Sequence, residues 1–81
     1  MSKREKLKAR LLSQKTLSSD ETIRLLELDD WIPDPDNPQR GSHKYFVHPV
    51  KKDKVTIPTG RKVLPKVTRD DILRQAGLIG D

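Results

Sequence analysis

The chain has 81 residues, carries a net charge of +5 and is 32% hydrophobic, with Trp31, Tyr45 and Phe46 as its aromatics. That length holds one domain with a small core, and the absence of cysteine excludes a disulfide framework and a thiolate metal site. No apolar stretch follows the N-terminal charges, so a signal peptide or membrane span is not expected and the reading is a soluble, cytoplasmic protein.

The charge is arranged in blocks. Residues 1–17 carry six Lys or Arg against one acid, a net +5, and residues 18–38 carry one Arg against seven acids, a net −6. Residues 39–69 carry nine bases against Asp53, a net +8, and 70–81 come to −2. A field of this kind attracts polyanions and speeds their encounter, which points to nucleic acid or an acidic protein as partner.

In chain order, Lys3 to Gln14 reads as a basic helix with Leu7, Leu11 and Leu12 on one narrow apolar stripe. Without an aromatic that stripe suits core or partner contacts better than a membrane surface. A second helix opens at Ser18, where Ser18 and Glu21 have the spacing of a capping box, and Ile23, Leu25, Leu26 and Leu28 form its apolar arc. Trp31 reads as a core anchor. Pro33, Pro35 and Pro38 then deny backbone donors, so only a short edge segment at Trp31–Ile32 fits there.

"HKYFVH" reads as a strand, "PVKKDK" as a turn and "VTIP" as a second strand ended by Pro58, together a hairpin. "TGRKVLPK" is a basic loop. In "VTRDDILRQAGL", Thr68 is expected to cap a last helix, with Asp71 closing the box and Val67 stapled against Ile72. Gly77 is expected to end it in the left-handed conformation, with Leu78 folding back. Residues 1–17 are then an N-terminal basic helical extension and 18–81 an α+β domain, a small antiparallel sheet with helices on one face.

The pieces "IRLLELDDW", "GSHKYFVHP", "VTIP" and "VTRDDILRQAGL", in this order, resemble the HicA toxin family of bacterial type II toxin–antitoxin systems, over about residues 18–79. The resemblance implies a double-stranded-RNA-binding-domain-like fold and metal-independent endoribonuclease activity on mRNA. It further implies a HicB antitoxin covering the active site, and it places His43 at the family's catalytic histidine. Two features depart from the family pattern. The apolar first strand is replaced by "PDPDNPQR", so a sheet of two strands plus an irregular edge is expected. Thr59 and Gly60 stand where many members have a second histidine.

The residues suit that chemistry. RNA carries its own nucleophile, the 2′-hydroxyl, and imidazole, which titrates near physiological pH, is a natural base for it. Arg or Lys can neutralise the charge growing on the phosphorane. His43 is the candidate base, Arg40, Lys44, Lys54, Arg61 and Lys62 are candidate RNA-binding cations, Gly41 admits close backbone approach to phosphate, and Ser42 offers a hydroxyl. His48, before Pro49, reads as surface or structural. Two histidines without an acidic cluster argue against a zinc site, and no cofactor is expected.

Strand alternation leaves two arrangements open: Tyr45 and Val47 face the helices, or Phe46 does and His43 shares the open face with Tyr45. Two other functions also remain in view. One is a non-catalytic RNA-binding module of the same fold, disfavoured by Asp70 and Asp71 at the start of the last helix. The other is a protein-interaction domain for an acidic partner.

Overall fold

The residues with capping signals form helices in the computed structural model, which describes residues 2–80. Helix α1 spans Lys3–Ser13, with the Ser2 hydroxyl accepting the Glu5 amide. Helix α2 spans Ser19–Leu28 and opens with the expected capping box. The Glu21 amide donates to Ser18 Oγ at 3.0 Å and the Ser18 amide donates back to Glu21 Oε1 at 2.9 Å. Gln14 Nε2 reaches the other carboxylate oxygen at 2.9 Å. The Gln14 bond and then the Ser18 amide hold the Glu21 carboxyl below its ordinary pKa.

Helix α1 runs antiparallel to α2. Its start is clasped to the end of α2, where Arg4 donates to the Leu28 carbonyl at 2.7 Å and pairs with Asp30, and Lys8 pairs with Asp29 at 2.7 Å. Its end lies near the start of α2 through Gln14. Leu11 and Leu12 pack on a small core of Leu17, Leu25 and Leu73.

The sheet is built around β3, His43–Val47, with β4, Val55–Pro58, antiparallel along one edge. The other edge carries a broken strand. Its halves, β1 (Ile32–Pro33) and β2 (Gln39–Arg40), each pair with β3: Ile32 and Pro33 with Val47 and Phe46, Gln39 and Arg40 with Lys44 and His43. Between them residues 34–37 loop outward. The Asp34 amide donates to the Tyr45 carbonyl at 2.9 Å and the Tyr45 amide to the Pro38 carbonyl at 3.0 Å, so the ladder closes on both sides of the excursion. Proline is tolerated because this is an edge. The irregular edge expected from the prolines is thus present, with a second pairing segment at Gln39–Arg40.

Helix α3, Lys66–Gln75, starts earlier than its sequence suggests. Leu64 is buried and its amide donates to the Leu17 carbonyl at 2.8 Å, so the chain enters the helix directly behind Pro65, whose carbonyl accepts the Arg69 amide. Pro65 is the N-cap and no side chain caps the helix. Thr68 therefore lies within the first turn, and Val67, 73% exposed, staples nothing. The other end matches expectation. Gly77 has φ +72°, the Leu78 amide donates to the Leu73 carbonyl at 2.8 Å and the Gly77 amide to the Arg74 carbonyl at 3.0 Å, the two bonds of a Schellman motif.

Leu26, Trp31, Phe46, Val55, Ile57, Leu64, Ile72 and Ala76 make the main core between helices and sheet. Phe46, Val55 and Ile57 are the buried residues of β3 and β4, so the helices cover their face. His43, Tyr45 and Val47 consequently lie on the opposite, open face, the second of the two arrangements that alternation permits. No helix among the described residues is long and apolar enough to cross a membrane.

Candidate active site

The Gly-Ser-His tripeptide is a hairpin. Arg40 pairs with His43 across a two-residue turn of Gly41 and Ser42, and Gly41 has φ +59°, a conformation that glycine adopts at no steric cost. An added Cβ at Gly41 would meet nothing within 4 Å, so the glycine serves the turn's backbone and leaves open space beside it. The turn is braced from the end of β4. The Thr59 amide donates to the Ser42 carbonyl at 2.8 Å and the Thr59 hydroxyl to the same oxygen at 3.1 Å. Thr59 therefore holds the turn that presents His43.

His43 is exposed as the first residue of β3. Its ring makes no hydrogen bond, ion pair or ring contact among the described residues. Register places Arg40 and Pro58 directly beside it on the two neighbouring strands, and antiparallel partners share a face. The immediate surroundings of the imidazole on the open face are thus an exposed guanidinium side chain, the turn and the end of β4.

Beyond Pro58 the chain folds back against the start of α2. Ser19 is the pin. Its hydroxyl donates to the Pro58 carbonyl at 2.7 Å and accepts the Arg61 amide at 3.0 Å, while its amide donates to the Arg61 carbonyl at 2.9 Å. This fixes Arg61 and Lys62 at the rim of a cavity of about 310 Å³ that Ser18, Ser19, Asp20 and Gly60 complete. Both cations are exposed and unpaired among the described residues. The positive end of the α2 dipole lies in the same wall, partly offset by Asp20. Ser19 carries no signal of this role in the sequence, because the Ser18–Ser19 doublet has one visible task, the cap, and Ser18 fills it.

Two of the candidate cations are elsewhere. Lys44 is on the helix side of β3 and lines a separate cavity of about 290 Å³ with Ile23, Glu27, Pro33, Pro38, Gln39 and Phe46. Lys54 precedes Val55, the partner of Phe46, which puts it about 13 Å along the sheet from the His43 row. It pairs at 2.7 Å with Asp34, whose side chain is 6% exposed. The hydrogen bond from Lys54 holds the Asp34 carboxyl below its ordinary pKa and raises that of the ammonium in turn. Lys54 therefore anchors the proline excursion. Arg40, Gly41, Ser42 and His43 form one cluster, with Arg61 and Lys62 beyond the end of β4.

His48 is structural. Its Nδ1 accepts the Val50 and Lys51 amides, both at 3.1 Å, its Nε2 lies 2.8 Å from the Asp29 carbonyl, and its ring meets Trp31 edge-on at 5.1 Å. That pattern is satisfied by the tautomer with its proton on Nε2.

Fold and site together define a small α+β domain of the double-stranded-RNA-binding-domain type, with a solvent-facing histidine hairpin beside unpaired cations. Residues 19–78 match the family model of the HicA toxin of bacterial toxin–antitoxin systems. The chain belongs to the HicA toxin family. Among curated proteins, none matches the chain. Helix α1, for all its packing on α2, precedes the matched segment.

Proposed function

We propose that the chain is an endoribonuclease toxin that cleaves mRNA without a metal ion, with His43 as general base, and that a HicB-type antitoxin restrains it by covering the hairpin. The observation that carries this reading is the pair of histidines. One is bonded on every side, and the other is exposed at a glycine turn with no partner among the described residues. A free imidazole at the edge of a basic surface has no structural task and is available for proton transfer.

In the proposed reaction the unprotonated His43 ring takes the proton of a ribose 2′-hydroxyl. The 2′-oxygen attacks the adjacent phosphorus, the bond to the 5′-oxygen of the next nucleotide breaks, and that oxygen takes a proton from solvent. The products are a 2′,3′-cyclic phosphate and a 5′-hydroxyl. Arg40 beside the base, and Arg61 and Lys62 beyond Pro58, bind the RNA backbone and offset charge developing on the phosphorane. Gly41 and Ser42 let phosphate approach the turn. Lys44 and Lys54 contribute only to the long-range field.

The test is cleavage of an unstructured transcript by the purified chain, with and without EDTA. Cleavage that survives the chelator and that a bound antitoxin suppresses supports the reading. Salt-sensitive binding with no cleavage products would leave an RNA-binding module instead.

A further inference from the structure

Tyr45 takes no part in the proton transfer proposed for His43, and it is no core residue either. Trp31 and Phe46 are buried at 2% and 3% exposure, whereas Tyr45 is half-buried on the uncovered face, so among the aromatics it is the one whose ring a ligand can reach. Its phenol makes no hydrogen bond among the described residues. It stands two residues from His43 on the same strand and face, about 6.7 Å away along β3, roughly one nucleotide step of an extended single strand. Its cross-strand neighbour is Thr56, and the next row holds the exposed Arg40 and His43 with the half-buried Pro58.

We propose that Tyr45 is a nucleobase-stacking platform. Single-stranded RNA lies across the open sheet face, with a base on the Tyr45 ring and the neighbouring ribose at His43. Stacking fits this position because every base offers a π-face, so an aromatic can hold a strand without reading its sequence. The alternating rows, an aromatic beside a cation and an imidazole, match the base and backbone of one nucleotide. The occupant is a polyanion on the grounds of charge, since the exposed Arg40, unpaired among the described residues, shares the face with His43 and the chain as a whole carries a net charge of +5. The inference rests on the proposed reading of the chain as an RNA-cleaving enzyme and adds to it how the substrate is held.

The probe is a single-stranded RNA oligonucleotide methylated at every 2′-oxygen, which blocks the nucleophile and lets binding be read by fluorescence anisotropy on the intact chain. Tyr45→Leu keeps apolar bulk and removes the π-face; it is expected to weaken binding about 5- to 100-fold. Tyr45→Phe and Tyr45→Trp should bind within about twofold of wild type or tighter. The slope of log Kd against log salt should stay unchanged in all three, since no phosphate contact is lost. The wild-type chain should also lose affinity for an oligonucleotide that is abasic throughout, a comparison that needs no variant. Tyr45→Leu binding as tightly as wild type would overturn the proposal, as would equal affinity of the wild type for abasic and normal strands. Tyr45-dependent binding by a chain that cuts nothing upholds the platform and removes the nuclease reading. His43-dependent cleavage with binding indifferent to Tyr45 removes the platform alone.

Discussion

The two ends of β3 carry the two histidines and treat them in opposite ways. At the far end, His48 is tied to three backbone groups and to Trp31, and one of those groups is the carbonyl of Asp29, whose carboxylate takes three bonds of its own. Asp29 accepts Lys8 and Lys51, each at 2.7 Å, and the Trp31 indole N–H at 3.2 Å. Lys51 also donates to the Ala76 carbonyl at 2.7 Å, which joins this knot to the end of α3. At the near end, His43 has a glycine turn behind it, solvent before it and no bonded partner among the described residues. One end is stabilised by its polar groups. The other leaves them unspent, the ordinary state of a site that must bind something else.

Substitutions can break that contrast. The largest expected effect is at His43: replacing it with alanine should lower the cleavage rate by about 10²- to 10⁴-fold, the usual contribution of a general base, while the melting temperature stays within a degree or two of wild type. His48→Ala should do the reverse. Losing the ring leaves the Asp29 carbonyl and two amides without their partner and removes the Trp31 edge contact, at a cost of about 1–3 kcal/mol. For a chain of this size that is a fall in melting temperature of roughly 5–20 °C. Cleavage per folded molecule should be unchanged.

Asp29 sharpens the comparison through pH. Burial pushes its pKa up, but the bonds from Lys51 and Lys8 outweigh burial and leave it below the ordinary 3.8. A carboxyl with a depressed folded-state pKa stabilises the fold above its unfolded value, and that stabilisation is lost as pH falls through the folded value. Asp29→Asn should therefore cost about 1–3 kcal/mol near neutrality. Its deficit should shrink in acid, below the ordinary carboxylate range, as read by denaturant unfolding at a series of pH values. The smallest effect is at Lys54, where alanine should leave cleavage within about twofold of wild type and loosen the 34–37 excursion, detectable as faster amide exchange there.

Much of the helical layer is legible in the sequence, because its signals are local. The Ser18–Glu21 box and the Gly77 stop are each set by residues within six positions of one another, and both form as read. The start of α3 is misread for the same reason. Thr68 with Asp71 has the spacing of a box, but the long-range bond from Leu64 to Leu17 sets where the chain enters the helix. The clasp of Arg4 and Lys8 onto Asp30 and Asp29 joins residues more than twenty apart, and spacing gives no sign of it. The same holds for Lys54, drawn from the basic cluster by an aspartate twenty positions earlier.

The near end is legible in its residue types and less so in its geometry. Gly41, Ser42 and His43 stand out as a turn and a strand mouth, yet alternation with aromatics on both faces cannot say which face is covered. Burial of Phe46 with Val55 and Ile57 decides it and puts His43 in the open. Ser19, which pins Arg61 and Lys62 beyond the end of β4, is hidden because its partners lie 39 and 42 residues away.

The most direct measurement is the chemistry of the cut ends. An unstructured transcript, incubated with the purified chain and beside it with the His43→Ala variant, can be analysed by mass spectrometry. The expected result is 2′,3′-cyclic phosphate and 5′-hydroxyl ends from the wild type and intact RNA from the variant. Ends bearing 3′-hydroxyl and 5′-phosphate, or equal cleavage by a folded His43→Ala chain, would contradict a 2′-hydroxyl attack driven by this imidazole.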